Sequence, residues 1–238
     1  MLQDFQTPDF TYRLHVDQLV CNKFGLAEFF AYNFEEFRLL PLSRVLDVGC
    51  GVGPFSIFLA SQNIHVTGVE INPKAVGLCR MNVEKYGFSS LVSLLEDDFS
   101  SVYMHDTFDI IISNPPIDPT LPLDDMNCLA QDLNLHHLTP RTFSYITNSW
   151  HDLHGKELCD YIFLRGKKLL SKNGNVIIIC GNTGYDIRQH VCSKAYFYGY
   201  QLINDIKTFL STVSVGINDS RLFGELIEAH ILVYSYSL

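Results

Sequence analysis

The chain has 238 residues, 47% hydrophobic and 18% charged, a composition that supports a buried core and excludes general disorder. Its length suits one domain with modest elaborations. Seventeen Lys and Arg against 26 Asp and Glu leave a formal charge of −9, which disfavours sequence-independent nucleic-acid binding, because that draws on a basic surface.

Seven cysteines, an odd number with no C-x-x-C pair, read as reduced and mostly buried thiols in a cytoplasmic protein. His136-His137, His151 and His154 lie near Cys128 without ligand spacing, so no metal site is expected. The start, Met1-Leu2-Gln3-Asp4-Phe5-Gln6-Thr7-Pro8, has neither a basic opening nor an apolar signal core, and no apolar run reaches membrane-spanning length. No export peptide and no membrane partner are expected.

Residues 1–43 form an N-terminal extension that we expect to be helical, with Phe24, Leu26, Phe29, Phe30, Phe34 and Phe37 along one side. It either packs on the core or closes over a ligand; packing is favoured. From residue 44 to the end we expect one domain in which strands alternate with helices. Residues 45–48, 65–70, 92–95 and 108–113 read as the first four strands. Pro54 and Pro73 stand where helices begin, and Gly87 ends the second of these. Residues 118–155 have no clean period and read as an insertion that contacts substrate. A helix over about 156–170 follows, stopped by the turn Lys172-Asn173-Gly174, then a strand at 175–180 and a helix at about 185–198. The basic run Arg165-Gly166-Lys167-Lys168 is the densest in the chain and reads as a helix C-terminus, where cations suit the dipole. Strand-like runs at 200–209 and 229–236 close the chain with no long helix between them, so they are expected to pair antiparallel. The fold class is α/β: a Rossmann-like, seven-stranded, mostly parallel sheet with helices on both faces.

Two motifs carry the chemistry. In Val45-Leu46-Asp47-Val48-Gly49-Cys50-Gly51-Val52-Gly53, an apolar strand runs into three glycines at alternate positions, ahead of a helix opened by Pro54. Such a loop brings bare backbone up to a ligand, and the helix start offers free N–H groups. A dinucleotide fingerprint would need its third glycine where Pro54 stands, and no Walker lysine follows. Glu70 ends the second strand, where a carboxylate can hold both ribose hydroxyls. Asp97 and Asp98 end the third, beside where an adenine amine would lie. The second motif is Asn114-Pro115-Pro116-Ile117, after the apolar run 108–112. Two prolines stiffen the chain and hold Asn114 extended. Its side-chain oxygen, with the Pro115 carbonyl, can accept hydrogen bonds from an –NH₂ group and aim the nitrogen lone pair at an electrophile.

These elements, in this order, resemble the class I S-adenosylmethionine-dependent methyltransferases: Asp47 to Gly53, Gly68-Val69-Glu70-Ile71-Asn72-Pro73, Asp97-Asp98, and Ile112-Ser113-Asn114-Pro115-Pro116-Ile117. Asn-Pro-Pro is similar to the branch that methylates planar or amide nitrogens. Asp152-Leu153-His154-Gly155-Lys156-Glu157-Leu158-Cys159-Asp160-Tyr161 resembles, more loosely, a segment of the release-factor glutamine methyltransferases. The resemblance implies S-adenosyl-L-methionine as cofactor. It implies Asp47, Gly49, Cys50, Gly51, Gly53, Glu70, Ile71, Asp97, Asp98, Phe99 and Asn114 around that cofactor, with Asn114, Pro115, Pro116 and Ile117 at the reacting nitrogen. Many relatives have an aromatic ring after the two prolines; Ile117 cannot stack on a flat base, which moves weight toward an amide or amine acceptor in a protein or small molecule. Methylation of an RNA base nitrogen is the alternative within the fold, and an inactive cofactor-binding scaffold subunit the alternative outside it.

Overall fold

The alternation of strand and helix builds one seven-stranded sheet in the computed structural model, which describes residues 1–17, 23–115, 152–181, 187–211 and 225–236, the side chains of 152–157 excepted. The repeating part begins with β3 (Arg44–Val48), α2 (Pro54–Ser61), β4 (His65–Glu70), α3 (Pro73–Lys85), β5 (Val92–Glu96) and β6 (Phe108–Ser113). It continues with α4 (Asp152–Leu169), β7 (Leu170–Gly181), α5 (Ile187–Phe197), β8 (Tyr200–Ser211) and β9 (Leu226–Tyr236). The strand order is β5-β4-β3-β6-β7-β9-β8. Strands β3 to β7 are mutually parallel, and β9 runs antiparallel to both β7 and β8, as the closing segments predicted. The chain leaves β3 toward β4 on one side and returns to β6 on the other, so the order reverses at the β3–β6 boundary.

Central strands are buried on both faces, and consecutive side chains divide between them. Ile110 and Ile112 of β6 join Phe58, Ile57 and Phe30 on one face, while Ile111 joins Leu46, Phe163 and Val191 on the other. The predicted turn at Lys172-Asn173-Gly174 lies inside β7 as a register shift: Phe108 pairs with Leu170, but Ile110 pairs with Asn175, and Asn173 takes a left-handed φ of 69°. Helix α4 begins at Asp152, four residues before the predicted start.

The expectation of a helical extension over 1–43 needs correction. Its first part is a β-hairpin, β1 (Leu2–Gln6) paired antiparallel with β2 (Thr11–His15). Burial alternates with period two: Phe5, Tyr12 and Leu14 point inward, Asp4 and Arg13 outward. The strand signal prevails because Thr7 and Phe10 close a turn around Pro8, the Thr7 hydroxyl donating to the Phe10 carbonyl at 2.8 Å. Helical structure is confined to α1 (Gly25–Tyr32) and a 3₁₀ turn at Phe34–Phe37. Phe30 on α1 is fully buried, with ring centroids 5.0 Å from Phe37 and 5.4 Å from Phe55 of α2, so this segment takes the packing role rather than that of a lid. The expected insertion at 118–155 falls outside the described residues except for 152–155, the first turn of α4.

Candidate active site

Sheet register places the motif residues in one row. Val48 pairs with Val69 on one side and Ser113 on the other, and Glu70 pairs with Glu96. Glu96, Glu70, Gly49 and Asn114 therefore leave four adjacent strands at one level of the carboxyl edge, across the point where strand order reverses. The Ser113 hydroxyl donates to the Val48 carbonyl at 2.8 Å and ties the two motifs together.

The glycine loop is built from left-handed turns: φ is 73° at Gly49, 56° at Gly51 and 90° at Gly53. A Cβ on Gly49 or Gly51 would meet nothing within 4 Å, so the bare backbone faces open space. A Cβ on Gly53 would come within 2.5 Å of the Cys79 sulfur, so that glycine serves packing. Gly49 N–H donates to the Val69 carbonyl at 2.8 Å, and Gly53 N–H to the Cys50 carbonyl at 2.9 Å. The Cys50 side chain is buried against Gly68 and Cys79 and turns away from the open side, which leaves only its backbone for a ligand. The hydrogen-bonded Cys79 neighbour, and then burial, raise its thiol pKa.

Glu70 does two things at once. Its Oε2 accepts from Gly51 N–H at 3.0 Å and its Oε1 from Asn72 N–H at 2.8 Å, which fixes the carboxylate against the loop. A carboxylate has about four acceptor positions, so these bonds leave capacity for a hydroxyl donor. Burial raises its pKa, opposed by the backbone N–H groups of Asn72, Gly51 and Ile71. Ile71 is half-buried beside it, and Asn72 caps α3 by accepting from Lys74 N–H at 3.0 Å.

Asp47 lies under the loop, 1% exposed. Its Oδ2 accepts from the Ser56 hydroxyl at 2.6 Å, while Oδ1 has no partner among the described residues. Burial pushes its carboxyl up to about 7, the Ser56 hydrogen bond opposes this, and the nearby Glu70 charge adds to it.

After β5, Asp97 is exposed and Asp98 half-buried. Asp97 Oδ1 accepts from Asp98 N–H at 2.7 Å, and Asp98 Oδ1 from Ser100 N–H at 2.8 Å. The Phe99 ring is buried in the core face beneath α4, so its backbone is what remains for a ligand. Arg165 of α4 places its guanidinium 4.9 Å from the Phe99 ring centre and donates to the Phe99 and Val102 carbonyls. The basic run thus fastens the loop after β5. Lys167 lies over the Tyr236 ring at 5.0 Å, and a Cβ on Gly166 would meet the Tyr200 hydroxyl at 2.6 Å.

Asn114 is half-buried and Pro115 buried at the end of β6. Pro116 and Ile117 lie outside the described residues. Sequence reasoning gave Ser56, Ser113 and Asn82 no role of their own and read Arg165 as a cation at a helix C-terminus. Ser56 and Asn82 had a visible signal, each being a polar residue at a buried helical position among apolar neighbours.

Residues 27–131, which hold all these motifs, match the family model described as methyltransferase small domain. A release factor glutamine methyltransferase of Geobacter sulfurreducens is 40% identical over 93 residues, 38% of this chain and 32% of that protein. A tRNA1(Val) (adenine(37)-N6)-methyltransferase of Bacteroides thetaiotaomicron is 28% identical over 118 residues, 48% of each chain. The chain thus spans about a third to a half of the length of these relatives. Among solved structures, a methyltransferase from Pyrococcus furiosus superposes with a TM-score of 0.60 at 15% identity, covering 92% of this chain and 87% of that one. No helix among the described residues is long and apolar enough to cross a membrane. Residues 27–131 are thus similar to a methyltransferase small domain, and the strand order gives the chain the fold of the methyltransferase structure on which it superposes.

Proposed function

We propose that the protein transfers a methyl group from S-adenosyl-L-methionine to an amide or amine nitrogen, with a protein glutamine side chain as the leading acceptor. The observation that carries this reading is the row at the carboxyl edge, in which Glu70, the open glycine backbone and Asn114 stand on adjacent strands at one level. The residues present suit the donor. Gly49 and Gly51 leave space where any side chain would intrude, and Glu70 keeps acceptor capacity for a ribose hydroxyl. The unpartnered Oδ1 of Asp47 supplies a buried acceptor beneath the loop for a cationic amine. Asp98 and the Phe99 backbone border the adenine end, with Asp97 and Ile71 flanking it.

The donor supplies an electrophilic methyl carbon bound to a sulfonium. Asn114, through its side-chain oxygen, and Pro115, through its carbonyl, accept hydrogen bonds from the acceptor –NH₂. Held by both, the nitrogen keeps its lone pair free for in-line attack, which is catalysis by positioning.

Charge supports a protein or small-molecule acceptor over a nucleic acid. Glu70, Glu96, Asp97 and Asp98 lie along the described edge. The neighbouring cations are engaged, Lys74 with Asp17 at 2.8 Å and Arg165 with two carbonyls. The relative that acts on tRNA adenine favours an RNA base as the second reading. We place the reaction in the cytoplasm, where the buried free thiols of Cys50, Cys79, Cys159 and Cys180 stay reduced.

The test is transfer of radiolabelled methyl from S-adenosylmethionine into lysate fractions. Protease-sensitive label supports the protein acceptor, and nuclease-sensitive label replaces it with the RNA reading. Donor binding with no label in any fraction would leave a scaffold. Asn114→Ala should abolish labelling while S-adenosylhomocysteine affinity stays within about twofold, since Asn114 acts on the acceptor. Full turnover in that variant refutes the assigned role.

A further inference from the structure

Asn82 is fully buried on α3, and its amide joins three elements. Its Oδ1 accepts from His15 N–H at 2.6 Å, and its Nδ2 donates to the His15 carbonyl at 3.0 Å. The amide thereby meets β2 as a neighbouring strand would, pairing with both backbone groups of one residue. The same Nδ2 donates to the Val52 carbonyl at 3.0 Å. Val52 sits between Gly51 and Gly53, and the peptide it shares with Gly53 is held at its other end by the bond to the Cys50 carbonyl. Glycines at positive φ leave a loop free to adopt other conformations, so its shape depends on such anchors.

The other ties between hairpin and α3 stop at the helix. Lys85 donates to the Arg13 carbonyl at 2.5 Å, the Tyr86 hydroxyl accepts from Arg13 N–H at 2.6 Å, and Lys74 pairs with Asp17 at 2.8 Å. Among these contacts, Asn82 alone continues into the glycine loop.

We infer that Asn82 is a positioning residue of the donor site, locking the Val52 peptide of the glycine loop to the N-terminal hairpin, so that seating of the hairpin and grip on the donor are coupled. This rests on the donor-site reading above. Asn82 does not touch the donor. It holds the loop that does, and it makes the hairpin part of the cofactor site rather than an appendage.

The experiment is calorimetric titration of the full chain with S-adenosylhomocysteine, together with donor and acceptor KM values. Asn82→Ala should weaken binding about tenfold, equivalent to about 1.4 kcal/mol. It should raise donor KM in proportion and leave acceptor KM and kcat at saturating donor within about twofold. Lys85→Ala, which loosens the hairpin alone, should lower the melting temperature without that loss of affinity. Unchanged affinity in Asn82→Ala, or an equal loss in Lys85→Ala, overturns the inference. Failure of the wild-type chain to bind overturns the donor-site reading instead, so the two outcomes are distinct. Hydrogen exchange on the wild type gives a readout that does not depend on a variant folding. Amides of residues 13–15 and 51–53 should gain protection together when S-adenosylhomocysteine binds, and protection confined to 51–53 also overturns the coupling.

Discussion

Ser56→Ala should move the pH profile of donor binding without touching the donor. The Ser56 hydroxyl supplies the hydrogen bond to Asp47 Oδ2, at 2.6 Å, that opposes the burial holding this carboxyl near 7. A hydrogen bond to a charged group is worth about 1.5–3 kcal/mol, or about 1–2 pH units at about 1.4 kcal/mol per unit. The variant's carboxyl should therefore titrate near 8–9. If the donor's cationic amine requires ionised Asp47, apparent affinity scales with the ionised fraction. At pH 7 that fraction falls from about one half to between about one tenth and one hundredth, so Kd rises about 5- to 50-fold. At pH 9 the gap closes to about 1.1-fold at the lower end of the shift and about twofold at the upper end. Calorimetry with S-adenosylhomocysteine from pH 6 to 9 reads this directly, and the ligand's own titration cancels between variants. Superimposable wild-type and variant profiles would refute both the ionisation argument and the placement of Asp47 beneath the donor.

Asp47→Asn should separate stability from binding. The folded protein keeps the Asp47 proton up to about pH 7, whereas the unfolded chain releases it near 3.9, so stability falls as pH climbs through that window and is flat above it. The amide removes this slope, so stability at pH 8 should rise by at most about 4 kcal/mol, seen as a higher melting temperature, while donor affinity drops at every pH; an unchanged pH–stability slope would contradict the burial. Gly53→Ala should cost about 2–5 kcal/mol, from a positive φ of 90° and from overlap with the Cys79 sulfur at 2.5 Å. Adding Cys79→Ala should recover about 1–3 kcal/mol in urea denaturation, whereas strictly additive losses would show that the two positions do not touch.

The repeating part of the fold was legible because its strands bury both faces and its helices start at Pro54 and Pro73 and end near Gly87. Glu70 was legible from its place after β4, and the structure adds its bonds to Gly51 and Asn72. The hairpin was not, because the aromatic helical stripe of Phe24 to Phe37 was extended back over the residues before it, and the docking of the hairpin on α3, a contact 67 residues away in sequence at His15 and Asn82, leaves no local trace. Cys50 and Phe99 sit within the motifs expected to hold a cofactor, yet their side chains face the core; adjacency in the chain cannot tell a residue that offers its backbone from one that offers its side chain. Arg165 read as a surface cation because its acceptors are the Phe99 and Val102 carbonyls, and backbone acceptors leave no trace in sequence.

The last strand in the chain is not the last in the sheet. Strand β9 lies between β7 and β8 and is hydrogen-bonded to both. While the polypeptide is emerging from a ribosome, β8 has no neighbour to join until residues 226–236 follow it out, whereas β3 to β6 already have theirs. The half built on β3 to β6 can thus assemble early, and the rim beyond β7 waits for a wedge that arrives late. A nonsense codon just upstream of β9 would therefore detach two strands rather than one.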